Sequence, residues 1–362
     1  METKYESAIL LYTVSDIIGL KLSELTVGKD KFSPNTSLEM MYEFIALGGI
    51  TSINMNNYYV SNNTMLLYGI SKTLVDNDTL ILGKNDEELI NKIKINMTKI
   101  IENIYDDSKK DIDRALMLTT YENIFRDMRY VTYDPYTGGA GPATRSVGIG
   151  LAYYGEKNRD KLIYIAIESA KLTHNSPIGF LGAASSALLT AFAVENLHLY
   201  EWVFELLKIL KSDSISKYID KSNKNIVDDY NNYVGYWQKY IDLRFEDKKP
   251  IKSKAQINLI FRSRFHYDHF TKDTKGYIIG DSGYSSVIMA YDSLIDAENK
   301  WEKLIIYSAV HWGSSNSVAS LAGAWYGLLY GFHNVPNNNL IGIEFQNDLT
   351  LLAKNLYKKF YK

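Results

Sequence analysis

Apolar residues recur every three or four positions along most of this chain, the spacing that lays one side of an α-helix against a core. In "NDEELINKIKINMTKIIENIYDD" the stripe is Leu89, Ile90, Ile93, Met97, Ile100, Ile101 and Ile104. Asp86, Glu87 and Glu88 open it, and a helix N-terminus favours negative charge there. The same period predicts helices over 6–19, 37–47, 64–76, 110–126, 142–153, 158–173, 180–196, 199–211, 228–243, 285–297, 300–310, 317–331 and 344–360. Strand-like alternation is scarce, and "KGYIIGDSG" at 275–283 comes nearest to it. Six prolines fall near the predicted boundaries, not inside helices. The lysine-rich "RFEDKKPIKSK" at 244–254 reads as a solvated loop inside one domain. The expectation is an all-α protein, a single compact many-helix domain over 1–362.

Composition narrows the function classes. With 40 Lys+Arg against 42 Asp+Glu and a pI near 6.3, the chain carries no basic field for nucleic acid or anionic lipid. It has no cysteine, which removes disulfides, thiolate metal sites and cysteine nucleophiles together. The first apolar stretch is interrupted by Glu2, Glu6, Ser15 and Asp16, too polar for a signal peptide or a membrane span. "GFLGAASSALLTAFAV" (179–194) and "ASLAGAWYGLLYG" (319–331) are rich in small residues but short for a bilayer, and are expected to be tightly packed core helices. A soluble, cytoplasmic protein is expected, with neither nucleic-acid nor membrane partners; the oligomeric state is not written in the sequence.

Five polar loops each lead into a helix rich in small residues: 58–70, 136–150, 171–187, 280–293 and the segment from His311. Unpaired N–H groups at helix starts attract anions, although Ser, Thr and Asn also cap their own helices. "GGAGPATR" is neither a Walker loop nor GxGxxG, and Arg145 within it has either a phosphate or a protein carboxylate to pair with. "HYDH" (266–269) is expected to be a loop with surface histidines. "GDSGYS" (280–285) matches a serine-protease motif by letter only, since its surroundings are helical.

Taken in order, these segments resemble the ADP-ribosylglycohydrolase family, especially the branch acting on ADP-ribosyl-arginine. "SDIIG" (15–19) is similar to the family's GDALG, and "VSNNT" (60–64) to its VSDDT. "GGAGPATRSVGIGL" (138–151) is similar to GGxGAAMRxxxIGL. "IESAKLTHNSPIGFLGAASSALLTAFAV" (167–194) resembles IESxxxTHxxPxGxLGAxxSALxxAxAV, the most specific likeness. "IMAYDSL" (288–294) and "HWGSSNSVASLAGAWYG" (311–327) resemble IAYDAL and HGGDSDSTxxIAGxxxG. The resemblance implies a compact all-α fold that binds ADP-ribose and uses paired magnesium ions to hydrolyse its bond to a modified side chain. It places ADP-ribose against Gly138, Gly139, Gly141, Arg145, His174, Gly283, Tyr284 and Ser285.

The chain departs from the family where that resemblance would put the metal ligands. Asn62 and Asn63 stand at the two Asp positions of the first motif, with Thr64 kept. Ser314 and Asn316 stand at those of the second, with Ser317 kept and Val318 replacing Thr. Ser285 occupies a position where arginine-directed relatives carry Asp, and Trp312 replaces a glycine. Magnesium prefers charged oxygens, and two neighbouring dications repel strongly without them. The acids left nearby are Asp16, Asp134, Asp281 and Asp292. The expectation is therefore a pseudoenzyme with no catalytic residue and no cofactor, which binds ADP-ribose or an ADP-ribosylated protein or serves as a scaffold. The alternatives are an active hydrolase with an altered magnesium site and a structural, crystallin-like protein.

Overall fold

The periodic segments fold as helices. The computed structural model describes residues 1–26, 32–77, 86–107, 118–251, 258–272 and 278–361. Its helices begin with α1 (Glu2–Ser23), α2 (Pro34–Ala46), α3 (Gly49–Ser52), α4 (Asn62–Asp76), α5 (Asp86–Asp107) and α6 (Leu118–Arg126). Next come α7 (Gly141–Arg145), α8 (Val147–Ala152), α9 (Arg159–Lys171), α10 (Pro177–Val194), α11 (Trp202–Leu210) and α12 (Asp213–Ser216). The last are α13 (Lys224–Arg244), α14 (Leu259–Phe270), α15 (Ser285–Ala297), α16 (Trp301–Ala309), α17 (Ser315–Tyr330) and α18 (Gln346–Phe360). Pro34, Pro142 and Pro177 sit in first turns, where the missing N–H has no partner to lose. Of the helix predicted at 110–126, only 118–126 lies within the described residues.

The structure corrects three expectations. Residues 244–251 are not wholly a solvated loop: Phe245–Glu246 (β1) pairs antiparallel with Lys249–Pro250 (β2), and Arg244 is buried. Segment 142–153 breaks at Ser146 into α7 and α8. "HYDH" belongs to helix α14, and His266 is buried.

The reason for the last correction is chemical. The buried face of α14 is Arg262, Ser263, His266 and Phe270, a mostly polar stripe that hydrophobic periodicity cannot register. It is buried because charges meet it. Arg262 donates to Asp292 and, at 2.6 Å, to Asp296, while Arg244 reaches the same two carboxylates at 2.7 and 2.8 Å. His266 Nε2 lies 3.3 Å from Asp292, and Tyr240 donates to Asp292 at 2.9 Å. Burial alone would raise Asp292, but the two guanidiniums outweigh it and hold the carboxyl well below its usual range. This cluster ties α13, α14 and α15 together.

One hydrophobic core runs from Tyr5 to Phe360. Along α1 nearly every residue from Ser7 to Gly19 is buried, because α1 lies against α17 at backbone contact. A Cβ on Gly323 would strike the Leu11 carbonyl and the Ser15 hydroxyl. The Ser7 hydroxyl donates to the Gly327 carbonyl at 2.8 Å. Helix α10 has 18 residues and is apolar enough to cross a membrane by length and composition, longer than expected; all of it is buried inside the protein. Lys359 of α18 closes the far end of α4 by donating to the carbonyls of Leu74, Val75 and Asn77.

Candidate functional site

Close packing of α1 on α17 carries Asp16 to the start of α17, and the start of α4 arrives beside both. Ser61 is the N-cap of α4, its hydroxyl accepting from the Asn63 N–H at 3.0 Å. The same residue reaches Asp16 twice, through its N–H at 3.0 Å and its hydroxyl at 2.6 Å. Thr64 donates to Asp16 at 2.7 Å, and Asn63 Nδ2 approaches it at 3.5 Å. From α17, Asn316 Nδ2 donates to the Ser61 hydroxyl at 3.3 Å, and Ser314 donates to Ser317 at 2.8 Å. The two motifs separated by some 250 positions therefore meet around one carboxylate. Burial raises Asp16 above its ordinary value, against the lowering effect of these donors. Asn62, Ser314 and Asn316 remain partly exposed, whereas Asn63, Thr64 and Ser317 are buried. Among the described residues, no group of three or more His, Asp or Glu is placed to hold a metal ion.

Thr144 of α7 links this network to a second one. Its hydroxyl contacts Asn63 Oδ1 and the Gly141 carbonyl, both at 2.9 Å. Gly141 ends the glycine loop, which is zipped to the loop before α15. Gly139 bridges Ser282, Ala140 N–H donates to the Asp281 carbonyl at 2.7 Å, and Gly283 N–H donates to the Gly138 carbonyl at 3.0 Å. Gly283 also lies directly on α10, where a Cβ would strike the Ile178 carbonyl.

Next to this zipper stands His174. Its Nδ1 lies 2.7 Å from the Thr173 hydroxyl, and a Cβ on Gly139 would come within 3.3 Å of its Nε2. Arg145 lies behind, buried, donating to Thr173 at 2.7 Å and more weakly to the Ser169 and Ala170 carbonyls. Of the two partners expected for Arg145, a protein carboxylate is not found among the described residues, and its Nε and Nη1 have no partner there. Burial without a counter-ion brings its guanidinium down to about 9, and burial plus the Arg145 charge brings His174 down to about 3. Asp281, partly exposed, makes no side-chain hydrogen bond among the described residues, and desolvation pushes it up to about 7.

Of the residues assigned to ADP-ribose by resemblance, Gly139, Gly141 and His174 reach the surface, while Gly138, Arg145, Gly283, Tyr284 and Ser285 are buried. Tyr284 turns into the core, stacked on Tyr236 at 4.0 Å and donating to the Phe270 carbonyl. Ser285 exchanges caps with Ser282, each N–H donating to the other's hydroxyl at 3.1 Å. Trp312 is buried beside Phe32 and Tyr267. Two linking residues, Thr144 and Thr173, were not singled out by sequence. Both sit inside the quoted motifs, one just before Arg145 and one just before His174, and a hydroxyl beside each charged or titratable group was the available signal.

The all-α scaffold thus gathers the starts of α4, α7, α10, α15 and α17 beside one another. The chain belongs to the ADP-ribosylglycohydrolase family, whose model matches residues 53–362. It is 32% identical over 358 residues to a putative ADP-ribosyl glycohydrolase of Acanthamoeba polyphaga mimivirus, covering 94% of this chain and 68% of that protein. It is 31% identical over 246 residues to ADP-ribosylhydrolase ARH1 of Dictyostelium discoideum, covering 62% of each. A solved structure titled ADP-ribosylglycohydrolase-related protein complex matches with a TM-score of 0.59 at 13% identity, over 99% of this chain and 98% of that one, a likeness of fold alone.

Proposed function

We propose that this family member is catalytically inactive and retains a polar surface that holds ADP-ribose, free or on a modified protein. One observation carries the reading: Asn62, Asn63, Ser314 and Asn316 occupy the positions where the resemblance expects carboxylates, and the site they form is already hydrogen-bonded to itself. A pair of magnesium ions needs several charged oxygens. Asp16 is the single carboxylate in this network among the described residues, and its oxygens already take hydrogen bonds from Ser61, Thr64 and Asn63. Amide nitrogens of Asn63 and Asn316 point inward as donors, the wrong polarity for a cation. This donor set does not fit the paired metals.

What supports binding is the second network. Gly139, Gly141 and His174 lie at the surface above the buried, uncompensated charge of Arg145, a field that favours an anionic ligand. A thermal-shift titration with ADP-ribose, with and without magnesium, tests both halves. Stabilisation that grows with ligand and ignores magnesium is expected. Release of ADP-ribose from ADP-ribosyl-arginine by the purified chain with magnesium would refute inactivity, and a flat response to millimolar ADP-ribose would refute binding.

A further inference from the structure

We propose that Arg145 and Thr173 are positioning residues that fix the ring proton of His174 on Nε2, so that the surface beside Gly139 presents a donor and selects an oxygen acceptor of the ligand. The ligand half of this inference rests on the ADP-ribose reading above; the proton placement does not.

The Thr173 hydroxyl has one hydrogen to give and two lone pairs to fill. Arg145 Nη2 can only donate, so at 2.7 Å it fills one lone pair of Thr173 Oγ1. Either Thr173 gives its hydrogen to His174 Nδ1 at 2.7 Å, or its second lone pair accepts from an Nδ1–H and its own hydrogen is left with the Ala170 carbonyl at 3.4 Å. The first arrangement wins, because hydroxyl bonds cluster near 2.7–2.8 Å and weaken beyond. His174 Nδ1 is therefore an acceptor, and its single proton is on Nε2. The ring stays neutral at ordinary pH, since burial and the Arg145 charge both oppose protonation.

Nε2–H has no partner among the described residues and sits beside the partly exposed Gly139. A side chain at position 139 would crowd that nitrogen, so the glycine keeps its approach open. A neutral N–H donor beside a buried guanidinium suits a hydroxyl or phosphate oxygen. It repels an ammonium and offers nothing to a ligand N–H. A histidine free to exchange tautomers would serve either kind of ligand; the chain from Arg145 through Thr173 removes that freedom.

The test uses the full chain labelled with 15N-histidine, its six rings read by long-range 1H–15N spectra and His174 identified with a His174→Asn variant. The parent protein is expected to show His174 as the Nε2–H tautomer. Thr173→Val should mix the tautomers and weaken ADP-ribose binding about tenfold, the loss of roughly one well-made hydrogen bond, while Thr173→Ser keeps both properties. A parent His174 protonated on Nδ1, or a Thr173→Val variant with an unchanged tautomer, would overturn the inference. If the valine variant does not fold, the parent spectrum alone decides. A parent with Nε2–H that fails to bind ADP-ribose supports the proton placement and sinks the ADP-ribose reading. A parent that binds ADP-ribose with Nδ1–H does the reverse.

Discussion

Asp16 and Asp281 are both raised by burial, yet the Asp16 carboxyl is surrounded by donors and that of Asp281 has none among the described residues. Asp281 therefore offers a clean prediction. Its carboxyl ionises near 3.8 when unfolded and near 7 when folded, so between about pH 4 and 7 the folded state holds the extra proton. Stability from this group accordingly falls as pH rises through that window. Asp281→Asn should be more stable than the parent by about 1 kcal/mol at pH 8, discounted for partial exposure, and the gain should vanish below pH 4. Urea melts at three pH values check it; a pH-independent difference would contradict it. At Asp16 the expectation reverses: Thr64→Val strips a short bond from a buried carboxyl and should cost about 2 kcal/mol. Sequence singled out both acids without distinguishing them. Their difference depends on which hydroxyls fold back on each, and contacts across 45 or more positions leave no local pattern.

Helices were legible where an apolar stripe drives burial and illegible where ion pairs do. The core helices α10 and α17 were visible from their small and apolar residues, and α5 from its heptad-like spacing of isoleucines. Helix α14 escaped because its inner face carries Arg262 and His266, whose partners Asp292 and Asp296 lie on α15. An Arg262→Met substitution would leave those carboxylates with Arg244 as their remaining guanidinium and should cost about 3–5 kcal/mol, read as a loss of urea midpoint at constant slope. The α1–α17 contact makes a steric prediction. Gly323→Ala would push a methyl group into the Leu11 carbonyl, costing about 1–3 kcal/mol, whereas Gly235→Ala, with open space around it, should leave stability unchanged or raised.

Across the whole molecule, family membership and the all-α fold follow from motif order, although Asn62, Asn63, Ser314 and Asn316 stand where the resemblance expects acids. How these motifs are held became visible only when α1, α4 and α17 came together around Asp16. Restoring Asp at 62, 63, 314 and 316 would set four new negative charges around it. Without metal, that quadruple variant should melt below the parent, and magnesium should recover the loss; a melting curve indifferent to magnesium would mean the surrounding network has been rebuilt beyond those four positions. The packing of α1 against α17 also constrains when this protein comes into being. An apolar helix at residues 2–23 finds its main neighbour at 315–330, a segment made much later. On the ribosome it waits through the synthesis of nearly everything between them, an unburied adhesive segment on a growing chain. Nascent molecules stalled before α17 emerges should be the ones that chaperones hold and proteases cut.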